Sequence, residues 1–319
     1  MKCVVFYPSG SKNVMDFFSQ LPLQAGVEAD IFIETKGDPK IADGLYKFHH
    51  DVGSSGGKMQ PTKLNNIELD VPTAYDKVYI IGSNFGLRQQ LFDMGFDYKN
   101  VVMCYGDIWL CRCPLDEIFI IHKKKPEVPF EKKPAEIYQH YEGETTRAHA
   151  RREREGFFDK YCQGEGLDVG YGGDVITPTA SGWDFRNGDA QYLSGISEES
   201  FDYVYSSHCL EHMYDVRTAL KNWFRVVRRG GYLLLAIPHR DLYEKRTQLP
   251  SRWNRDHKHM FLIGRSEPPD TLDIVEEIRE SLKEYDIKYI KACDYGHTIT
   301  DPNRHSDGEY QIEIVIQKI

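Results

Sequence analysis

The stretch that decides the fold is "LDVGYGGD", residues 167–174. A short apolar run carries Asp168 near its end and is followed at once by Gly170, Gly172 and Gly173. Glycine lets backbone N–H groups approach a ligand closely and adopts turns that other residues resist. In open α/β sheets, ligands bind just beyond the carboxyl ends of the strands. The stretch therefore predicts a strand that ends in a glycine-rich, ligand-binding turn.

Strand and helix patterns alternate after this turn. The apolar runs "FDYVYSS" (201–207) and "YLLLAIP" (232–238) are typical of buried strands. Between them, "VRTALKNWFRVVRRGG" (216–231) predicts a helix closed by glycines. Apolar strands that alternate with helices indicate a parallel sheet covered on both faces.

The end of the chain breaks this alternation. A helix is predicted over 270–285, and two strand patterns follow at 287–296 and 309–319 with no helix between them. Two such strands favour an antiparallel hairpin. The predicted fold class is therefore α/β, a Rossmann-like doubly wound sheet with a closing C-terminal antiparallel hairpin.

Residues 1–122 predict a smaller α/β domain, with strands at 2–8 and 28–35 around a helix at 13–23. Its "GSNFG" stretch at 82–86 lacks the G-x-G-x-x-G spacing of a dinucleotide site, so we interpret it as a tight strand-to-helix turn. The sequence does not indicate what this domain does.

A domain boundary is predicted at "KKKPEVPFEKKP", residues 123–134, because lysines and prolines do not pack into a core. The second domain is then 135–319. Near its start, arginines alternate with acidic residues, a pattern that predicts a solvated helix face and no nucleic-acid patch. These arginines are Arg147, Arg151, Arg152 and Arg154.

Composition narrows the class of partner and the compartment. The 319 residues include 40 Lys+Arg against 49 Asp+Glu, a net charge of -9, which argues against nucleic acid as a partner. No apolar run is long enough for a membrane span or a signal peptide, so a cytoplasmic protein is expected. The seven scattered cysteines predict buried, reduced thiols. Cys111 and Cys113 alone make a poor zinc site.

Two further motifs follow the glycine turn. In "SGWDF", Asp184 lies where a second strand would stop, and its carboxylate suits the two hydroxyls of a ribose. In "NGDAQYL", Asp189 and Ala190 are positioned to meet an adenine edge.

Taken in order, these motifs resemble those of class I S-adenosylmethionine-dependent methyltransferases of the methyltransferase domain 11 type, over residues 135–319. In this resemblance 201–207 is the fourth strand and 232–238 the fifth. The resemblance implies S-adenosyl-L-methionine as the cofactor. Two departures stand out: Asp174 replaces a glycine, and 175–183 is too short and proline-bearing for the usual first crossover helix. The implied cofactor-binding residues are Asp168, Gly170, Gly172, Gly173, Asp184, Asp189, Ala190 and His208.

His208, Glu211 and His212 have the H-x-x-E-H spacing of an inverted zinc-protease helix. The family resemblance places this segment where a strand turns into a helix, so the two histidines need not share one helical face. A third ligand would also have to come from a distant position. We therefore predict no metal, and for His208 we favour packing beside the cofactor over a catalytic role.

The segment after the fifth strand is dense in polar side chains, which should line a cleft or face water. A hydroxyl acceptor needs a base, and we predict His257, with Asp256 beside it and His239 in reserve. Arg252 and Trp253 would shape the pocket. The alternative, that His257 only fixes its own loop, stays open.

The acceptor is predicted by exclusion. The chain lacks the Asn/Asp/Ser-Pro-Pro-aromatic motif of nucleic-acid methyltransferases that modify exocyclic amines. It also lacks the Pro-Cys nucleophile of cytosine C5 methyltransferases. A small-molecule or glycan acceptor remains, with O-methylation of a sugar hydroxyl first and carboxyl or nitrogen methylation second. Residues 237–261, together with the closing stretch 309–318, also resemble family members from glycan biosynthesis in bacteria and viruses. A catalytically silent cofactor-binding protein is the competing class. The sequence does not determine the oligomeric state.

Overall fold

The structure is a computed structural model of the 319-residue chain. It divides into two compact units, Met1–Lys124 and Lys125–Ile319. In the part of the chain that is described, no helix is long and apolar enough to cross a membrane. The described residues are 1–10, 12–50, 62–65, 69, 72–82, 84–104, 115, 119, 130–132 and 147–319. Cys111, Cys113 and most of the predicted linker lie outside them.

The first unit contains a six-stranded sheet in the order β4-β3-β2-β1-β5-β6. β1 pairs in parallel with β2 and β5, and β5 with β6, as the α/β prediction requires. After β5, Gly82 has a φ of 89° and the Asn84 side chain caps helix α2, so these two residues of "GSNFG" lie between a strand and a helix; Ser83 is outside the described residues. The elements are β1 Lys2–Gly10, α1 Lys12–Phe18, β2 Glu28–Thr35, β3 Gly44–His50, β4 Thr62–Leu64, β5 Lys77–Ile81, α2 Phe85–Asp93 and β6 Val101–Cys104.

The second unit contains another six-stranded sheet, ordered β13-β14-β10-β9-β7-β8. β7, β8, β9 and β10 are mutually parallel, and β13 and β14 form the predicted antiparallel hairpin. The Rossmann-like α/β fold is thus confirmed. The elements are α3 His149–Arg154, α4 Phe157–Tyr161, β7 Gly166–Val169, β8 Ala180–Trp183, β9 Phe201–Ser207, α5 Val216–Arg225, β10 Val227–Pro238, α6 Arg240–Tyr243, β11 Met260–Leu262, β12 Thr271–Asp273, α7 Ile274–Ser281, β13 Tyr285–Cys293 and β14 Gln311–Lys318.

Each face of this sheet has its own core. On one face α5 and α7 bury Trp223 and Ile278 against the strands. On the other, Phe157 of α4 packs with Tyr205 and Val315. Because strand side chains alternate between faces, β9 supplies Val204 to the first core and Tyr205 to the second.

The second sheet differs from the prediction in two ways. The helix predicted to 231 ends at Arg225, and the following arginines and glycines begin β10. Among the described strands of this sheet, 201–207 is the third in chain order, whereas the resemblance implied that it would be the fourth. As expected, the link from β7 to β8, described throughout, contains no helix.

Two details at the start of the second unit differ from the expectations. Phe130, inside the predicted linker, packs against Trp183 and Phe201 at centroid distances of 5.2 and 6.2 Å, so this residue contributes to the core. Of the arginines predicted on a solvated helix face, Arg147 and Arg154 are exposed, but Arg151 is only partly exposed and Arg152 is buried. Arg152 is 0% exposed, and its Nε donates to Glu313 at 2.6 Å. Glu313 of β14 and Glu309, just before this strand, are buried and accept hydrogen bonds from Arg152 and Arg151 of α3.

Candidate functional site

The site lies at the carboxyl edge of the second sheet. From the adjacent central strands β7 and β9, the chain leads to β8 on one side and β10 on the other, so this is the point where strand order reverses. Ligands of open α/β sheets bind at that point. Four predicted residues follow the four parallel strands directly: Gly170, Asp184, His208 and His239.

The glycine turn after β7 is a cradle. Gly172 and Gly173 have φ values of 57° and 96°, and a Cβ added at either would meet no atom within 4 Å. Gly170 has a different reason to be glycine, since its Cβ would lie 2.6 Å from Cys209 Sγ. The turn therefore offers open backbone toward a ligand while touching the segment after β9. This fits the S-adenosylmethionine that the sequence implied.

Asp168 stabilises the loop that contains this turn through a hydrogen bond. Its side chain is buried, and Oδ2 accepts the N–H of Ile176 at 2.7 Å. Burial raises the pKa of this carboxyl well above its usual range, against the hydrogen bond from Ile176. The predicted cofactor ligand is thus placed as a support for the loop that forms the cradle.

Asp184 keeps one oxygen available. Its Oδ1 accepts the N–H of Phe185 at 2.6 Å, and Oδ2 accepts no hydrogen bond from the described residues. Asp189 accepts the N–H of Gln191 at 2.9 Å, and the Ala190 carbonyl accepts Trp223 Nε1–H at 2.7 Å. These contacts stabilise the turn in which Asp189 and Ala190 lie.

His208 has a left-handed backbone, with φ of 48°. Its Nε2 lies 3.4 Å from Gln311 Oε1, and its Nδ1 lies 3.8 Å from Glu211 Oε1. The ring also meets Tyr310 edge-on at 5.9 Å. The structure thus places His208 among the polar groups beyond β9 and β14.

Three side chains meet beyond β9 and form what we call the histidine–carboxylate centre: Glu211, His212 and His257. Glu211 Oε1 lies 3.9 Å from His212 Nε2 and 3.8 Å from His257 Nε2. Glu211 and His257 are buried, at 0% and 3% exposure, and His212 is partly buried. His212 and His257 are 45 residues apart in the chain, so spacing alone could not have predicted that they meet.

The partner of His257 is Glu244, which the sequence analysis missed. His257 Nδ1 lies 2.8 Å from Glu244 Oε1, and both side chains are buried. Because the carboxylate accepts, Nδ1 donates in this contact, and Nε2 is the ring nitrogen that faces Glu211. Glu244 directly follows α6 and has no motif around it that points to His257.

Asp256, predicted beside His257, pairs with His212 instead. Asp256 Oδ2 lies 2.9 Å from His212 Nδ1. Burial raises the pKa of Asp256, but the hydrogen bond to His212 and the charge of Lys258 bring it to about 2. Burial lowers the pKa of His212, and the contacts with Asp256 and Glu211 outweigh it, leaving that pKa raised. Chain neighbours thus have different partners.

The remaining candidates have structural contacts. His239 caps α6, its Nδ1 accepting the N–H of Asp241 at 3.2 Å, and burial lowers its pKa. Arg252 donates to Asn303 Oδ1 at 2.7 Å and to the Pro302 carbonyl. Trp253 meets His305 edge-on at 5.3 Å.

An open, mostly parallel α/β sheet with a glycine cradle at its switch point is typical of a class of proteins that bind a cofactor there. Within that class, residues 167–235 match the family described as "Methyltransferase domain". This match makes the protein an S-adenosylmethionine-dependent methyltransferase, with S-adenosylmethionine as its cofactor.

Solved structures with a similar fold include S-adenosylmethionine-dependent methyltransferases from three organisms. The Methanosarcina mazei protein has 16% identity and a TM-score of 0.35, over 51% of this chain and 97% of its own. The Archaeoglobus fulgidus protein has 15% identity and a TM-score of 0.33, over 55% of this chain and 95% of its own. The Mesorhizobium loti protein has 12% identity and a TM-score of 0.32, over 48% of this chain and 90% of its own. Similarities of this size carry no argument about the acceptor. No curated protein matches the chain.

Proposed function

We propose that this methyltransferase acts on a hydroxyl group of a small polar acceptor, with a sugar or glycan hydroxyl as the first choice. The observation that carries the proposal is the buried His257–Glu244 pair, with Nδ1 and Oε1 2.8 Å apart. A hydroxyl must lose its proton as it is methylated, and this pair presents an imidazole nitrogen that can take it.

The chain's contribution to the reaction is alignment and proton removal. Gly172 and Gly173 give open backbone for the cofactor, and Asp184 offers Oδ2 to ribose hydroxyls. S-adenosylmethionine supplies an electrophilic methyl group on a positively charged sulfur. The acceptor oxygen forms the new O–CH₃ bond, the S–CH₃ electron pair returns to sulfur, and the hydroxyl proton goes to His257 Nε2. Glu244 stabilises the resulting imidazolium.

The two alternative functions from the sequence analysis rank below this proposal in the same order as before. Carboxyl or nitrogen methylation of another metabolite is second, since a carboxylate acceptor needs no base and would leave the His257–Glu244 pair unused. A catalytically silent cofactor-binding protein is third. We also propose a cytoplasmic location, no nucleic-acid partner, and 135–319 as the methyltransferase domain.

The test is an acceptor screen with methyl-labelled cofactor against nucleotide sugars, free sugars and glycan fragments, beside carboxylate and amine metabolites, protein and RNA. We expect label on a sugar hydroxyl, stable to mild alkali as an ether is. Label that alkali releases as an ester would contradict the proposal. Transfer to protein or RNA alone would contradict it as well.

A further inference from the structure

The histidine–carboxylate centre has the geometry of a cation site. The ligand atoms that Glu211, His212 and His257 can offer all lie within 4.8 Å of one another. Glu211 Oε1 is 3.8 and 3.9 Å from the two Nε2 atoms. Donors around a tetrahedral ion at about 2.1 Å lie about 3.4 Å apart. Movements of under about 1 Å in each side chain would therefore close the three ligand atoms onto one ion.

Both histidines are oriented as metal-binding histidines are. His257 Nδ1 is held by Glu244 and His212 Nδ1 by Asp256, at 2.8 and 2.9 Å. A carboxylate on one ring nitrogen fixes the ring and raises the basicity of the other. In this centre both of the other nitrogens face the same Glu211 oxygen.

Glu211 is a buried carboxyl group that forms no ion pair with a lysine or arginine among the described residues. Its side chain is 0% exposed, and neither carboxylate oxygen has a hydrogen-bond partner among the described residues. Its ion-pair neighbours are all histidines. Glu244 Oε2 is likewise buried without a partner. Two carboxylates in such surroundings are costly unless positive charge lies between them.

The backbone holds the two ligand-bearing segments together. The Glu211 carbonyl accepts the N–H of Lys258 at 2.8 Å and that of His259 at 3.3 Å. The 3₁₀ helix Leu210–His212 is thereby fastened to the segment that carries His257. The ligands are thus placed before any ion binds, which favours affinity.

We propose that Glu211, His212 and His257 bind a divalent transition-metal ion of the Zn²⁺ type, through one carboxylate oxygen and two Nε2 atoms. Two imidazoles and one carboxylate suit Zn²⁺, Co²⁺ or Fe²⁺, whereas Mg²⁺ prefers oxygen ligands throughout. This proposal departs from the sequence prediction of no metal, because the third ligand, His257, comes from a distant segment.

The ion's role in catalysis rests on the proposed function; its binding does not. Three protein ligands leave a coordination position open for the acceptor oxygen, and coordination lowers the pKa of a hydroxyl. The centre is close to the cofactor cradle, because Cys209, two residues before Glu211, touches the Gly170 turn. With the ion bound, His257 Nε2 would be a ligand and would not act as the base of the proposed function. The ion would take over that role by lowering the pKa of the hydroxyl, whose proton would pass to solvent.

The test uses the full chain, stripped with a chelator and titrated with Co²⁺ and Zn²⁺. We expect one equivalent of metal by elemental analysis, a Co²⁺ absorption spectrum of low coordination number, and a rise in Tm with Zn²⁺. Glu211→Gln should lose at least tenfold in affinity yet be no less stable than wild type when stripped, since it keeps the volume and replaces a buried carboxyl group that has no hydrogen-bond partner among the described residues. Glu244→Gln, which positions His257, should weaken binding about 10–100-fold.

His297→Gln is the matched control. His297 also lies near a carboxylate, Asp307 Oδ1 at 3.9 Å, but is outside the centre, so this variant should bind one equivalent as wild type does. Absence of stoichiometric metal in wild type, or equal binding by Glu211→Gln, would overturn the site. Bound metal without methyl transfer to any hydroxyl would overturn the proposed function and leave the site. Transfer that chelation does not slow would overturn the ion's catalytic role.

Discussion

At the residue scale, Asp184 gives the most direct test of cofactor placement. It follows β8 and has one carboxylate oxygen without a described partner. If that carboxylate holds the ribose hydroxyls, Asp184→Ala should weaken cofactor binding by about 1.5–3 kcal/mol for each charge-assisted hydrogen bond lost. Isothermal calorimetry measures it. Asp159→Ala, exposed on α4, is the control and should bind as wild type does. Unchanged affinity of Asp184→Ala would place the ribose elsewhere.

His257 tests the chemistry at the same scale. As base or as metal ligand it acts on the acceptor, so His257→Ala should lower kcat by about 10²–10⁴-fold while the cofactor Kd stays within about twofold. Single-turnover assays and calorimetry separate the two effects. His239→Asn, which keeps a cap acceptor for α6, should retain most activity. A His257→Ala enzyme with near wild-type turnover would move the base to His239 or His208.

At the scale of elements, the buried pair Arg152–Glu313 joins α3 to β14. Arg152 Nε donates to Glu313 at 2.6 Å, and both side chains are buried. Arg152→Leu leaves the Glu313 charge with fewer partners and should lower the free energy of unfolding by about 3 kcal/mol. Arg154→Leu, exposed on the same helix, should change it by less than about 0.5 kcal/mol. Urea denaturation of both variants is the check, and equal effects would contradict the role of the pair.

The same pair predicts an acid dependence. Burial raises the pKa of Glu313, but Arg152 and Arg151 lower it to about 2, against 4.5 ordinarily. Because the folded-state pKa is depressed, the stabilising contribution is complete above about pH 4.5. It is lost as the pH falls toward about 2. Glu313→Gln should therefore lose less stability than wild type over that window. Parallel slopes of unfolding free energy against pH would contradict this.

At the scale of the whole molecule, the second unit contains all of the residues that we propose for the cofactor site. Both cores of its sheet, the glycine cradle and Asp184 lie within Lys125–Ile319. We predict that a chain starting at residue 125 folds and binds S-adenosylmethionine with a Kd within about threefold of the full protein. A chain starting at 135 lacks Phe130, which packs on Trp183, and should have a lower Tm. Thermal denaturation and calorimetry test both, and an unfolded 125–319 chain would contradict the prediction.

The sequence by itself determined the α/β class, the glycine turn after β7 and the closing hairpin, and its resemblance to a known family implied the methyl-donor cofactor. The structural features depend on neighbours in the chain: an apolar run sets a strand, and glycines at 170, 172 and 173 set the turn. Local patterns predict such features because the backbone conformations involved are local.

Only the tertiary structure decided which side chains meet. Glu211, Glu244 and His257 come from three segments, and their contacts follow from how the loops after β9 and β10 pack at one edge of the sheet. Asp256 and His257 are neighbours in sequence yet pair with different residues. Arg152 has the sequence of a solvated helix and the burial of a core residue. Contacts between distant residues depend on packing, which no local pattern contains, so the sequence offered His257 as a candidate but not its contacts with Glu244 and Glu211.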